Sequence, residues 1–421
     1  MNAYGSSAGS GTRDVAGSRL EEMVRSRAEA NEEFFGRESE PLARCCHRMA
    51  ERFARGARLI ALGATPAARS DARHVSVEFV HPVIVGKRAL PAIAVTVEGG
   101  PIEAVSSALA EPDDIVIGFG VGEPGGEEVV AALDEAAGGG CMTIAFPPAA
   151  SIVAAAVGRP GESWDFAPPG GEHAIRQELV ETAYHVLWEL VHVFFDHRGL
   201  LEGRSARAVH DPGAASFLYP FLSEGESDLE AVIEDVRRSA LAKSADAGAL
   251  REATLRANAD VLETAAATLR ARFGAGGKLL ALGNGGSATD AMDVVADFRD
   301  DGGGRWRARR GMDLTEDAPI LTAVANDVGV EEIFQRQVIA YGDAGDALVA
   351  FSTSGGSLNL IEALAEARRQ GIVTIAMVGY DGGRIAADRL ADHVVVTRSQ
   401  SIPRIQEAQA SAYHALRELV G

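Results

Sequence analysis

Leu279–Phe298 reads LLALGNGGSATDAMDVVADF, and the passage from its first half to its second decides the fold. The apolar run from Lys278 to Leu282 has the length and composition of a buried strand; it breaks at Gly283-Asn284-Gly285-Gly286-Ser287 and resumes with helical spacing from Ala288. A strand, a tight loop and a helix start therefore follow one another. Glycines let the backbone approach an anion with no Cβ in the way, Ser287 adds a hydroxyl, and the free N–H groups of the helix's first turn point at whatever sits there. Phosphate is the natural guest, although an ordinary strand-to-helix turn with a helix cap has the same local pattern.

Working outward, helices fill Asp228 to about Phe273, with interruptions near Ala245 to Gly248; downstream come strands at Ile320–Ala325 and Ala347–Phe351, a helix at Leu358–Gln370, a strand at Val373–Val378 and a last helix at Ile405–Leu419. The N-terminal half repeats this order. A helical stretch Arg19–Phe53 precedes a strand Leu59–Gly63 and a helix Asp71–Val80; strands Ala92–Val97 and Asp114–Phe119, a helix Glu127–Ala137, a strand Met142–Phe146 and, past the Pro/Gly-rich Pro147–Gly171, a long helix from about Ala174 to Phe195 follow. Strands alternating with helices predict parallel, doubly wound sheets. Asp114–Phe119 matches Asp346–Phe351, Thr143-Ile144-Ala145 matches Thr374-Ile375-Ala376, and Gln177-Glu178, Ala183-Tyr184-His185 and Glu189-Leu190-Val191 match Gln406-Glu407, Ala412-Tyr413-His414 and Glu418-Leu419-Val420. The chain is a tandem duplication: a disordered tail 1–18, a first domain 19–198, a linker 199–227 and a second domain 228–421.

At 421 residues, 47% hydrophobic and 24% charged, the chain has the composition of a folded soluble protein rather than a disordered one. A net charge of −20 leaves nothing basic to neutralise phosphates at large, so nucleic acid and anionic membrane surfaces are not expected partners, and a phosphate ligand must be held by a local pocket. Cys45, Cys46 and Cys141 are too few and wrongly spaced for a disulfide framework or a cysteine zinc site. The Gly/Ser-rich N-terminus lacks a signal-peptide core, and no apolar stretch has spanning length; a cytoplasmic location is expected.

Strand Ala347–Phe351 runs into Ser352-Thr353-Ser354-Gly355-Gly356-Ser357, just before a helix. Ligands of open α/β sheets bind beyond the carboxyl ends of strands, so these hydroxyls and the Gly285 loop make a pair of anion cradles without a lysine. With Gly283–Ser287, Ala325-Asn326-Asp327, Ser352–Gly355 with Ser357, and Arg404-Ile405-Gln406-Glu407 followed by His414, the second half resembles the sugar isomerase (SIS) domain family and, within it, the phosphoheptose isomerases. The resemblance implies two tandem SIS domains, phosphate held by Ser352, Thr353, Ser354 and Ser357, and a sugar lined by Asn284, Gly285, Gly286, Ser287, Asn326, Asp327 and Gln406. It implies ketose–aldose isomerisation of sedoheptulose 7-phosphate to D-glycero-D-manno-heptose 7-phosphate through an enediol, in nucleotide-activated heptose formation.

The family carries a helical His-x-x-x-Glu pair after the glycine loop and a later histidine. In the second copy those positions hold Asp293, Asp297 and His414, one carboxylate being a methylene shorter. In the first copy the reverse has happened: Gly63-Ala64-Thr65-Pro66-Ala67 and Gly120-Val121-Gly122-Glu123-Pro124 replace both phosphate loops, while His74, Glu78, Gln177 and His185 keep the pair and its partners. Glu123 would repel a phosphate. The expected catalytic residues are thus Asp297 and His414 together with Glu78 and His185, in a composite arrangement drawing on both copies. His74 and Glu78, four apart on a helix, share a face; with Gln177 and His185 they offer donors that suit zinc, ahead of the second-copy set Asp293, Asp297, Gln406 and His414. A first copy that only scaffolds the second is the plainer reading of the same residues. The family's tetramers imply a homodimer of this chain, with four SIS domains, or a higher homo-oligomer. The alternative is a non-catalytic SIS-domain protein that binds a sugar phosphate or a protein partner, as the DnaA initiator-associating proteins do.

Overall fold

A computed structural model describes residues 8–84, 87–97, 100–149, 161–196 and 228–421. Residues 199–227, read as a linker, and residues 150–160 of the Pro/Gly-rich stretch lie outside the described residues. The first copy runs α1 (Ala8–Arg55), β1 (Leu59–Gly63), α2 (Pro66–Val80), β2 (Ala92–Thr96), α3 (Ile102–Leu109), β3 (Ile115–Phe119), α4 (Glu127–Gly138), β4 (Met142–Ala145), β5 (Ser163–Asp165) and α5 (His173–Asp196). The second runs α6 (Leu229–Ala257), α7 (Ala259–Gly274), β6 (Leu279–Gly283), α8 (Gly286–Arg299), β7 (Gly311–Asp313), α9 (Ala318–Asp327), a 3-10 turn (Val330–Glu332), α10 (Gln335–Tyr341), β8 (Ala347–Ser352), α11 (Leu358–Arg369), β9 (Val373–Val378), α12 (Gly383–Ala387), β10 (His393–Val396) and α13 (Ile402–Val420).

Both sheets are five-stranded and parallel, ordered β2-β1-β3-β4-β5 and β7-β6-β8-β9-β10. This is one doubly wound topology twice, and each sheet reverses its winding between its first and third strands in chain order. The duplication extends to the hydrogen bonds. Asp114 Oδ1 accepts from the Arg58 N–H at 2.8 Å, ahead of β1 and β3; Asp346 Oδ1 accepts from the Lys278 N–H at 2.9 Å, ahead of β6 and β8. Gly63 and Gly283 close β1 and β6, where a Cβ would lie 2.0 Å from the carbonyl oxygen of Ala68 and of Ser287 respectively. Helix backbone and strand end touch at that point, so only glycine fits.

By contacts the chain divides into two compact units, 30–246 and 1–29 with 247–421. Side-chain packing explains the bounds. Val232, Ile233, Val236 and Ala240 of α6 are buried with Phe34, Phe35, Tyr184 and Trp188, whereas Leu20, Met23 and Val24 of α1 are buried with Leu262, Leu269 and Leu416. Helix α1 starts at Ala8, inside the stretch read as a tail.

Two expected elements are corrected. Ile320–Ala325 is not a strand but part of α9: the Asp317 side chain accepts from the Ile320 N–H and Pro319 sits in the first turn, which starts a helix. The helical run from 228 to 273 is unbroken at 245–248 and breaks instead at Asn258, whose side chain donates to the Val396 carbonyl and accepts from the Val396 N–H on edge strand β10. The short strands β5, β7 and β10 were not expected.

Candidate functional site

In the second copy, β6 and β8 are neighbours and each ends in one of the two hydroxyl- and glycine-rich loops. The loops therefore stand at the point where the winding reverses, the usual ligand crevice of such sheets. Gly285, at φ +57, caps α8 with backbone alone, and Ser287 behind it is buried. Asn284 and Asn359 exchange side-chain hydrogen bonds, at 3.0 and 2.9 Å, and tie the first loop to the opening turn of α11. In the second loop the Ser352 Oγ accepts from the Gly355 N–H at 3.0 Å and the Ser354 Oγ from Gly356 at 3.3 Å. Both oxygens thus hold the turn while their O–H groups are left to donate. Ser357 precedes α11 without a side-chain cap bond. Gly355, at φ +62, lies so close to the next loop that a Cβ would be 2.2 Å from the Gly382 carbonyl oxygen. Two helix N-termini and a set of hydroxyl donors can hold an anion here without a cation. Asn326 and Asp327 end α9, exposed and bonded to each other at 2.7 Å.

Behind these loops α8 and α13 face each other. The Tyr413 O–H donates to Asp293 at 3.3 Å, and His414 Nε2 lies 3.5 Å from Asp297 Oδ2. Burial, with the Asp293 charge adding, pushes the Asp290 carboxyl well above its ordinary range. Arg417 donates to the backbone carbonyls of Asp297 and Asp300, at 2.9 and 3.2 Å, and stacks over Trp306 at 4.4 Å. It thereby ties α13 to the segment that follows Asp297.

The same architecture carries different chemistry in the first copy. Tyr184 meets His74 Nδ1 at 2.9 Å, as Tyr413 meets Asp293, and both tyrosines stand edge-on to a phenylalanine, Phe119 or Phe351. His74, Glu78 and His185, all buried, bring one donor atom each within 4.8 Å of one another. His74 Nε2 is 3.8 Å from Glu78, and Nδ1 is 3.9 Å from Glu181. The Glu78 Oε2 and both polar atoms of the Gln177 amide are buried and have no hydrogen-bond partner among the described residues. Burial, with His185 nearby, holds the His74 imidazole well below its ordinary range, hence neutral. Burial pushes the Glu78 carboxyl up to about 7. A neutral imidazole with Nδ1 already engaged, a second imidazole and a stranded carboxylate oxygen fit a metal ion, with Tyr184 and Glu181 orienting His74 from behind. Among the described residues this is the one such group; Asp293, Asp297, Gln406 and His414 do not form another.

The sequence model of the SIS domain family matches residues 244–379. Phosphoheptose isomerase from Nitratidesulfovibrio vulgaris is 37% identical over 190 residues, 44% of this chain and 88% of that protein. Phosphoheptose isomerase from Chlorobaculum tepidum is 41% identical over 178 residues, 41% of this chain and 82% of that protein. Two solved structures share the fold at low identity: tagatose-6-phosphate ketose/aldose isomerase from Escherichia coli, with TM-score 0.55 and 14% identity over 100% of this chain and 94% of that one, and the C-terminal domain of glucosamine-fructose-6-phosphate aminotransferase from Francisella tularensis, with TM-score 0.58 and 10% identity over 95% and 94%. No described helix is long and apolar enough to cross a membrane.

Proposed function

The chain belongs to the SIS domain family and is an aldose–ketose isomerase of the phosphoheptose isomerase kind, and on that premise we propose that it interconverts sedoheptulose 7-phosphate and D-glycero-D-manno-heptose 7-phosphate. The observation that carries the reading is the pair of lysine-free cradles at the ends of β6 and β8, a seat suited to a phosphate monoester.

In this reading Ser352, Thr353, Ser354 and Ser357 hold the phosphate, and Asn284 to Ser287, Asn326, Asp327 and Gln406 line the sugar. Isomerisation takes a proton from C1 of the ketose, returns one to C2 and moves the hydroxyl proton from O1 to O2, with an enediol between and no net redox change. A carboxylate suits the carbon-bound proton and an imidazole the oxygens. Two sets meet that requirement: Glu78 with His185, and Asp297 with His414. The first holds a carboxyl brought up to about 7, near the pH at which a base works best. His74, Glu78 and His185, with the Gln177 amide, would hold zinc, which would polarise a carbonyl or stabilise an enediolate. The residues' own part is to keep His74 neutral, present Glu78 and exclude water.

The test is incubation of the pure protein with sedoheptulose 7-phosphate, followed by NMR for a heptose 7-phosphate. Turnover supports the proposal; binding without turnover at high protein concentration refutes it. Glu78→Gln and His185→Ala, set beside Asp297→Asn and His414→Ala, tell which set does the chemistry. Loss of a working base costs roughly 10²-fold or more in kcat.

A further inference from the structure

The first copy has kept the crevice whose phosphate loops it lost. At the carboxyl ends of β1, β3 and β4 lies a small, partly open cleft lined by Ala68, Phe119, Gly120, Phe146 and Val180, with the carboxylates Asp71 and Glu123 and the bases His173 and Arg176 at its polar side. Into it the loop after β3 turns Glu123. Gly120 and Gly122, at φ +71 and +78, and the bonds Glu123 N–H to Gly120 O and Gly126 N–H to Glu123 O wind that loop tightly around the glutamate. The Glu123 Oε1 lies 3.2 Å from His173 Nδ1 and accepts from Arg176 Nη2 at 3.2 Å; the other arm of Arg176 donates to the Gly171 carbonyl at 2.8 Å. Burial works against the ionised carboxyl, yet these two bases outweigh it and hold it below the usual carboxylate range.

The register of the repeat gives this contact its meaning. Gln177 and His185 match Gln406 and His414, so His173 and Arg176 stand where the second copy has Ile402 and Ile405. The second copy has hydroxyls on the loop and isoleucines at those two helix positions. The first copy has no hydroxyl on the loop but a carboxylate there, and two bases on the helix. Glutamate and bases form one exchange, because either alone would leave a charge uncompensated in a partly buried place.

We infer that the first copy's crevice is an anion seat that the protein fills with its own carboxylate, Glu123 standing where a phosphate monoester would otherwise be drawn by His173 and Arg176. The seat is closed to phosphates in the native chain and opens when the carboxylate is removed. Phosphate binding on the second-copy loops is not required for this, and the test separates the two.

Inorganic phosphate is titrated calorimetrically into the full chain, into Glu123→Ser and into Glu123→Ser with Arg176→Gln, each also carrying Ser352→Ala and Ser354→Ala to silence the second-copy loops. The Glu123→Ser chain should take up one phosphate that its parent does not. Adding Arg176→Gln should weaken that uptake by at least about tenfold, the worth of one charge-assisted hydrogen bond. In the unsubstituted chain the His173 ring resonances should not move with phosphate, a measurement that needs no variant to fold. Equal uptake by Glu123→Ser and its parent, uptake indifferent to Arg176, or His173 resonances that follow phosphate in the unsubstituted chain would each overturn the inference.

Discussion

Replacing Glu78 by glutamine tests the first-copy group as a metal site without relying on turnover. Glu78 is 2% exposed, and burial is the main cause that brings its carboxyl from 4.5 up to about 7; Glu189 adds to the rise while His185 and Lys87 oppose it. A folded-state value above the unfolded one means that the folded chain still binds the proton where the unfolded chain has released it. The contribution to stability is therefore complete below about pH 4.5 and is lost as the pH rises through about 7. Over about 2.5 pH units at ~1.4 kcal/mol each, the loss is ~3 kcal/mol. Glutamine has no proton to lose. In chelator-treated protein, unfolding free energies of wild type and Glu78→Gln from urea titrations should lie close together near pH 5, apart from a fixed offset for the amide, and separate by ~3 kcal/mol in favour of the variant near pH 8. Zinc should then reverse the order, because the ionised carboxylate that burdens the empty site becomes a ligand. A difference that does not change with pH, or zinc stabilising both proteins equally, would refute the assignment.

Ser352→Ala and Ser354→Ala should each raise KM about 10- to 100-fold with kcat within a fewfold, the worth of a hydrogen bond to a charged group far from the reacting carbons; unchanged KM in steady-state kinetics would place the phosphate elsewhere. Gly355→Ala puts a Cβ 2.2 Å from the Gly382 carbonyl oxygen at a φ of +62, whereas a Cβ on Gly356 meets only Ser354 Oγ, at 3.9 Å. Calorimetry should accordingly show the first change weakening sugar-phosphate binding more than about tenfold and the second leaving it within about twofold. Burial, aided by the Lys87 charge, holds the His192 imidazole down at about 4, so the unfolded chain binds the extra proton first. Stability should fall by ~3 kcal/mol as the pH drops from about 6.5 to about 4, and His192→Gln should flatten that limb in urea titrations.

Motif chemistry and the duplication were legible because they are local or repeated: the glycine loop, the hydroxyl loop and the Gln/His spacing of α5 and α13 are read directly from residue types. What was missed lies in long-range pairing. Asn359 is an ordinary helix residue until it meets Asn284 across the crevice, and Tyr184, Glu181 and Arg417 join the candidate site only through their contacts with His74 and Asp297. Edge strands such as Ser163–Asp165 and Gly311–Asp313 are too short and too polar to show a period. At Ile320–Ala325 the signal is local after all: Asp317 followed by Ala318-Pro319 marks a helix start, which the apolar run overshadows.

The division of the chain into 30–246 and 1–29 with 247–421 also sets an order in time. Residues 1–29 leave the ribosome well before residues 247–421, yet the core that receives Leu20, Met23 and Val24 is made by that later stretch. At ~5–20 residues per second that wait is roughly 20–80 s, long after 30–246 has all it needs to fold. During it an apolar stripe stands uncovered on every nascent chain, and a trigger-type chaperone that shields it during synthesis should raise the yield of native protein more than one supplied after release.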